Sequence, residues 1–130
     1  MALTDGEPPS PRRVLVVEDE ALIRVLLVCA FEDEGFDVAE AASADEALDI
    51  LATLPTPPLA IVTDIRMPGR QDGLALAGWA RVHLPRTVVV VTSGYTAEPP
   101  ALATGRETIF LPKPYEPADV VALIRRLDPG

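Results

Sequence analysis

The stretch Leu59-Ala60-Ile61-Val62-Thr63-Asp64-Ile65-Arg66-Met67-Pro68-Gly69 decides the architecture. An apolar run ends in a single carboxylate, and Pro68 and Gly69 then close it. A continuous apolar run bounded by turn residues reads as a strand buried on both faces. Such strands belong to parallel sheets covered by helices on each side, and ligands sit beyond their carboxyl ends. Asp64 therefore stands at the mouth of a prospective site on a rigid strand. An Asp that merely starts a turn is the competing reading.

The rest of the chain repeats this alternation. Residues 13–17 form a first buried strand that stops at Glu18-Asp19-Glu20. A helix over 21–34 follows and ends at Gly35, a C-terminal glycine cap. Its apolar residues occupy more than one face, which points to deep burial or to a partner-binding face. A short second strand covers 36–41. Ser43 and Glu46 have capping-box spacing at the start of the next helix, which Pro55, Pro57 and Pro58 terminate. Beyond the opening strand, Asp72-Gly73 precedes a helix over 74–82, where Trp79 reads as a packing residue and His83 as solvated. The β-branched run 87–91 makes a central strand. Residues 98–105 leave room only for a short fourth helix begun by Pro99-Pro100. A fifth strand covers 108–111, and the last helix starts near Pro117 and buries Val120, Leu123, Ile124 and Leu127. Five strands alternating with five helical stretches predict an α/β, doubly wound parallel sheet with helices on both faces.

Composition sets the outer limits. A chain of 130 residues with 48% apolar and 24% charged residues suits one domain with a real core. The formal net charge of −9 leaves no basic stripe for nucleic acid. The single cysteine, Cys29, rules out an internal disulfide and a cysteine metal cage, and reads as a packed thiol. The longest apolar stretch is too short to span a bilayer, and no signal peptide precedes the first strand, so a cytoplasmic protein is the default expectation. Residues 1–12 read as a disordered leader and 13–128 as the domain, with no output domain after it.

The strand ends carry the chemistry. The first, third, fourth and fifth strands end at Glu18-Asp19, Asp64, Thr92 and Lys113. Clustered carboxylates need a counter-charge, which a divalent cation and an ammonium supply. Oxygen-only ligands suit Mg²⁺. Lys113 and the Thr92 hydroxyl then suit the oxygens of a phosphoryl group passing to a carboxylate. Taken singly, Glu18-Asp19 serves equally as a helix cap, Thr92 as a turn residue and Lys113 as a surface lysine. Their joint arrangement is what turn chemistry does not explain.

From about residue 13 to 127 the chain resembles the receiver domain of two-component response regulators. The matching residues are Val14-Leu15-Val16-Val17-Glu18-Asp19-Glu20, Thr63-Asp64-Ile65-Arg66-Met67-Pro68-Gly69, Asp72-Gly73-Leu74, Val91-Thr92-Ser93-Gly94 and Lys113-Pro114. The resemblance implies a flavodoxin-like strand order 2-1-3-4-5 and a phosphoryl group accepted on Asp64 from a phosphohistidine. It implies Mg²⁺ (or Mn²⁺) on Asp19, Asp64 and the backbone carbonyl of Arg66, with Glu18 acting through water. It further implies that Lys113 bridges the phosphoryl group and Asp64, and that the Lys113-Pro114 bond is cis. Thr92 and Phe110 are the implied switch pair.

The implied partner is a histidine kinase or histidine phosphotransfer protein, with a downstream protein partner and a monomeric or weakly dimeric state. Three departures from the common family form stand out: a longer 69–72 loop, the charge of Arg66 at the site mouth, and the short fourth helix. Two alternatives accompany this reading. One is an aspartate-nucleophile phosphatase of haloacid-dehalogenase type, which wants a second Asp where Arg66 stands. The other is a receiver fragment of a hybrid histidine kinase.

Overall fold

The computed structural model describes residues 10–65, 72–93 and 108–127. Nine elements follow in order: β1 (Ser10–Val17), α1 (Ala21–Asp33), β2 (Asp37–Ala41), α2 (Ala44–Thr53), β3 (Pro58–Asp64), α3 (Gly73–His83), β4 (Val88–Ser93), β5 (Thr108–Pro112) and α4 (Pro117–Leu127). The strands pair in parallel in the order β2-β1-β3-β4-β5. The expected fold class and strand order therefore hold. The short helix expected at 98–105 lies outside the described residues, as does the leader up to residue 9.

β1 begins at Ser10, earlier than the expected Arg13. Ser10 pairs with Pro58, and the register shifts before Val14 meets Ala60. The polar, proline-containing start hides this segment from an apolar-run criterion. Pro11 has no N–H to give a regular ladder, which suits an irregular strand start.

Alternation along β1 divides the core between the two faces of the sheet. Val14 and Val16 join Leu27, Phe31, Val120 and Ile124 under α1 and α4. Leu15 and Val17 join Ala44, Ala47, Leu76 and Ala80 under α2 and α3. On the second face the helices contribute several alanines, Ala44 and Ala47 from α2 and Ala77 and Ala80 from α3. Ile61 and Val62 on β3 are both buried, one in each cluster, as a strand covered on two faces requires.

Local signals end the helices where the sequence places them. Gly35 has φ +88° just past α1. Its N–H donates to the Glu32 carbonyl, and the Phe36 N–H donates to that of Phe31. This is the paired-bond helix stop that glycine permits. The rings of Phe31 and Phe36 meet edge to face at 5.4 Å across it. At α2 the Glu46 N–H donates to Ser43 Oγ at 3.1 Å, while the Glu46 carboxylate accepts from the Ala42 N–H at 2.6 Å. The return bond thus lands one residue upstream of its usual place in a capping box. Asp72 caps α3 by accepting from the Ala75 N–H at 2.9 Å.

Candidate functional site at the carboxyl ends of the strands

Register turns positions distant in sequence into neighbours. Val17 pairs with Thr63, Asp64 with Thr92, and Ser93 with Pro112. The residues just beyond those pairs therefore gather at one edge of the sheet. Glu18 continues the β1 ladder, its N–H donating to the Ala41 carbonyl at 3.0 Å. Glu18, Asp19 and Asp64 bring carboxylate oxygens to within 4.8 Å of one another. Lys113 Nζ donates to Asp64 Oδ2 at 2.9 Å. Thr92 is buried, and its hydroxyl lies 3.5 Å from the Thr63 carbonyl, at the outer limit of a hydrogen bond. That contact is a weak bond.

A glycine supports the acceptor strand. A Cβ on Gly73 would stand 1.9 Å from the Asp64 carbonyl oxygen, so α3 approaches the end of β3 only because Gly73 has none. Bonds from the Gly73 N–H to the Ile65 carbonyl and from the Ile65 N–H to the Thr92 carbonyl, at 2.9 and 3.0 Å, fix the backbone after Asp64.

The electrostatics follow from burial and crowding. Glu18 is 1% exposed. Burial, with the charge of Asp64 and the nearness of Asp19, pushes its carboxyl up to about 7, although the Glu20 N–H and Lys113 pull the other way. Burial lowers Lys113, but its bond to Asp64 and the charges of Asp64 and Glu18 outweigh that, so it is held above its ordinary value. An all-oxygen donor set in which one carboxyl resists ionisation fits a hard divalent cation. Glu18, Asp19 and Asp64 are the side chains that could hold it. The Arg66 carbonyl lies outside the described residues.

Tyr115 is a site residue that the sequence reading did not single out. Its hydroxyl is buried and, among the described residues, has no partner of hydrogen-bonding geometry. Burial and the charges of Glu18 and Asp64 raise its pKa, while Lys113 and the neighbouring Thr92 hydroxyl oppose the rise. It remains a protonated donor facing an acidic site. Its only sequence signal is its place just after Lys113-Pro114, a bond that is cis. Phe110 is half-buried against the α2–α3 cluster and pairs with Val91.

Two surface expectations resolve. Cys29 is exposed rather than packed, because it lies on the outward side of α1. The excess apolar residues of that helix are not deeply buried. Leu22 is 71% exposed, and Val25 and Leu26 are 50% exposed. Beside them a cavity of about 420 Å³ is lined by Ile23, Leu26, Lys113, Pro114, Tyr115 and Pro117. Trp79 packs as expected, stacked on the exposed ring of His83 with centroids 4.7 Å apart. Among the described residues no helix is long and apolar enough to cross a membrane.

A five-stranded parallel sheet in this order, with an acidic cluster and a lysine at its carboxyl edge, defines a flavodoxin-like α/β module with a candidate cation site. The chain belongs to the response regulator receiver domain family, which matches residues 14–125. It is 36% identical to the transcriptional regulatory protein PdtaR of Mycobacterium tuberculosis over 123 residues, covering 93% of this chain and 58% of that protein. It is 34% identical to the sensor kinase CckA of Brucella abortus over 116 residues, covering 88% of this chain and 12% of that protein. Its fold is similar to a receiver domain protein from Methanospirillum hungatei, with TM-score 0.79 and 25% identity, over 91% of this chain and 94% of that one. Nothing in these similarities favours a phosphatase of haloacid-dehalogenase type.

Proposed function

We propose that the chain takes a phosphoryl group from a phosphohistidine onto Asp64. The observation that carries this is the Lys113–Asp64 contact of 2.9 Å inside the three-carboxylate cluster. A carboxylate oxygen of Asp64 attacks phosphorus. A P–O bond forms as the P–N bond breaks, and its electron pair returns to the imidazole nitrogen. Lys113 shifts from the carboxylate towards the phosphoryl oxygens. Thr92, loosely bonded at rest, donates its hydroxyl to one of them, and Phe110 moves inward behind it. Asp19, Asp64 and the Arg66 carbonyl would hold Mg²⁺ (or Mn²⁺), with Glu18 acting through water. That cation supplies the positive charge an anionic donor needs when it approaches three carboxylates. The chain acts on itself alone, in the cytoplasm, taking up and losing its own phosphoryl group.

The partner is a histidine kinase or a histidine phosphotransfer protein. The exposed Leu22, Val25 and Leu26 of α1 and the cavity against Pro114 and Tyr115 offer a helix a docking face beside Lys113. A downstream partner reads the charge change through Thr92 and Phe110.

Incubation with a small acyl phosphate and Mg²⁺ tests the acceptor. Wild type takes up phosphate, and Asp64→Asn takes up none. Uptake that persists in Asp64→Asn refutes the assignment.

A further inference from the structure

We propose that Arg24 is a positioning residue for the cation-facing carboxylates, an inference that rests on the receiver reading above. Arg24 Nη1 donates to the Glu18 carbonyl oxygen at 2.8 Å. That carbonyl and the Asp19 N–H belong to one planar peptide unit, so the bond sets the orientation of the link between two cluster carboxylates. The other edge of the guanidinium is anchored, with Nε donating to Glu40 Oε1 on β2 at 3.0 Å. The Arg24 N–H also donates to the Glu20 carbonyl at 2.9 Å, which ties the same residue into the first turn of α1.

The Glu18 turn is thus held on every side. Its N–H is bonded to Ala41, its carbonyl accepts from Arg24, and its carboxylate accepts from the Glu20 N–H at 3.1 Å. An ion pair with a half-exposed Glu40 contributes little alone. The consequential contact is the one to the Glu18 carbonyl. A rigid fork spans β2 and the acidic turn together, which a lysine ammonium does not do. Removing it frees the Glu18–Asp19 peptide unit to rotate, and the carboxylates lose their preset approach to the cation.

Mg²⁺ titration of the full chain by calorimetry tests this, with melting in chelator and acyl-phosphate uptake recorded in parallel. Arg24→Ala weakens Mg²⁺ binding on the order of tenfold, as loss of outer support to a metal site does. Arg24→Lys fails to restore it, and Glu40→Ala shifts it in the same direction by less. Uptake at saturating Mg²⁺ stays within about twofold of wild type, because the ligands themselves remain. If Arg24→Ala does not fold, Glu40→Ala carries the test. Unchanged Mg²⁺ affinity in the folded variants overturns the proposal, and full rescue by Arg24→Lys overturns its geometric basis. Absence of Mg²⁺ binding by wild type overturns the cation reading itself, an outcome visible before any variant is made.

Discussion

Acids on the rim of the molecule and acids at its site are treated in opposite ways. On the rim three acids pair with an arginine: Asp37 with Arg13, Glu34 with Arg125, and Glu40 with Arg24, which also reaches the Glu18 carbonyl. At the site Glu18, Asp19 and Asp64 crowd together against Lys113, the only lysine in the chain. Planar guanidinium forks hold carboxylates in fixed geometry, whereas an ammonium is a compact charge on a flexible stem. The arginines therefore fasten the sheet and helices, and the lysine is free to change partners. The difference teaches that the site is left with excess negative charge, which is useful only if a cation and a phosphoryl group arrive to use it.

The contrast can be broken most severely at Lys113. With Lys113→Ala, phosphoryl uptake at saturating Mg²⁺ slows on the order of a hundredfold, the scale of losing one charge-stabilising donor. The measurement is the initial rate from a small acyl phosphate. A rate near wild type would make Lys113 one more surface base.

A smaller effect lies in stability against pH. The Glu18 carboxyl titrates at about 7 in the folded chain against 4.5 for an ordinary carboxyl. Between those values the folded state binds the proton more tightly than the unfolded state, so stability falls as pH rises. Relative to Glu18→Gln, wild type loses stability through this window by roughly 3 to 4 kcal/mol at most, since each pKa unit is about 1.4 kcal/mol. Urea denaturation in chelator at a series of pH values measures it, and added Mg²⁺ shrinks the loss. A flat difference curve would mean that Glu18 is adequately compensated without a cation.

The smallest effect belongs to the rim. Arg125 and Glu34 are both largely exposed, so Arg125→Ala changes stability by less than about 1 kcal/mol and leaves uptake untouched. A large change in either would erase the distinction between rim and site.

What was legible in the sequence was whatever depends on near neighbours. The buried strand ending at Asp64, the Gly35 stop and the Ser43–Glu46 cap are all local patterns, and the structure places each where it was read. The site acids were legible because strand ends converge by topology, a rule that needs no side-chain detail. Features that depend on distant packing were not. The apolar run of α1 does not say which of its residues face outward, so Cys29 reads as packed in the sequence and is exposed in the fold. Arg24 reaches Glu40 across the helix–sheet boundary, and Gly73 matters because of a carbonyl brought to it by the fold. Tyr115 acquires its place only when β5 lies beside β4.

The central claim is that Asp64 accepts a phosphoryl group by virtue of a cation-dependent acidic site. Intact-mass analysis after acyl-phosphate treatment, with Mg²⁺ in one arm and chelator in the other, tests it most directly. The account predicts the gain of a single phosphoryl group with Mg²⁺, none in chelator, and none in Asp64→Asn under either condition. Equal uptake with and without Mg²⁺, or an adduct that survives Asp64→Asn, would contradict it.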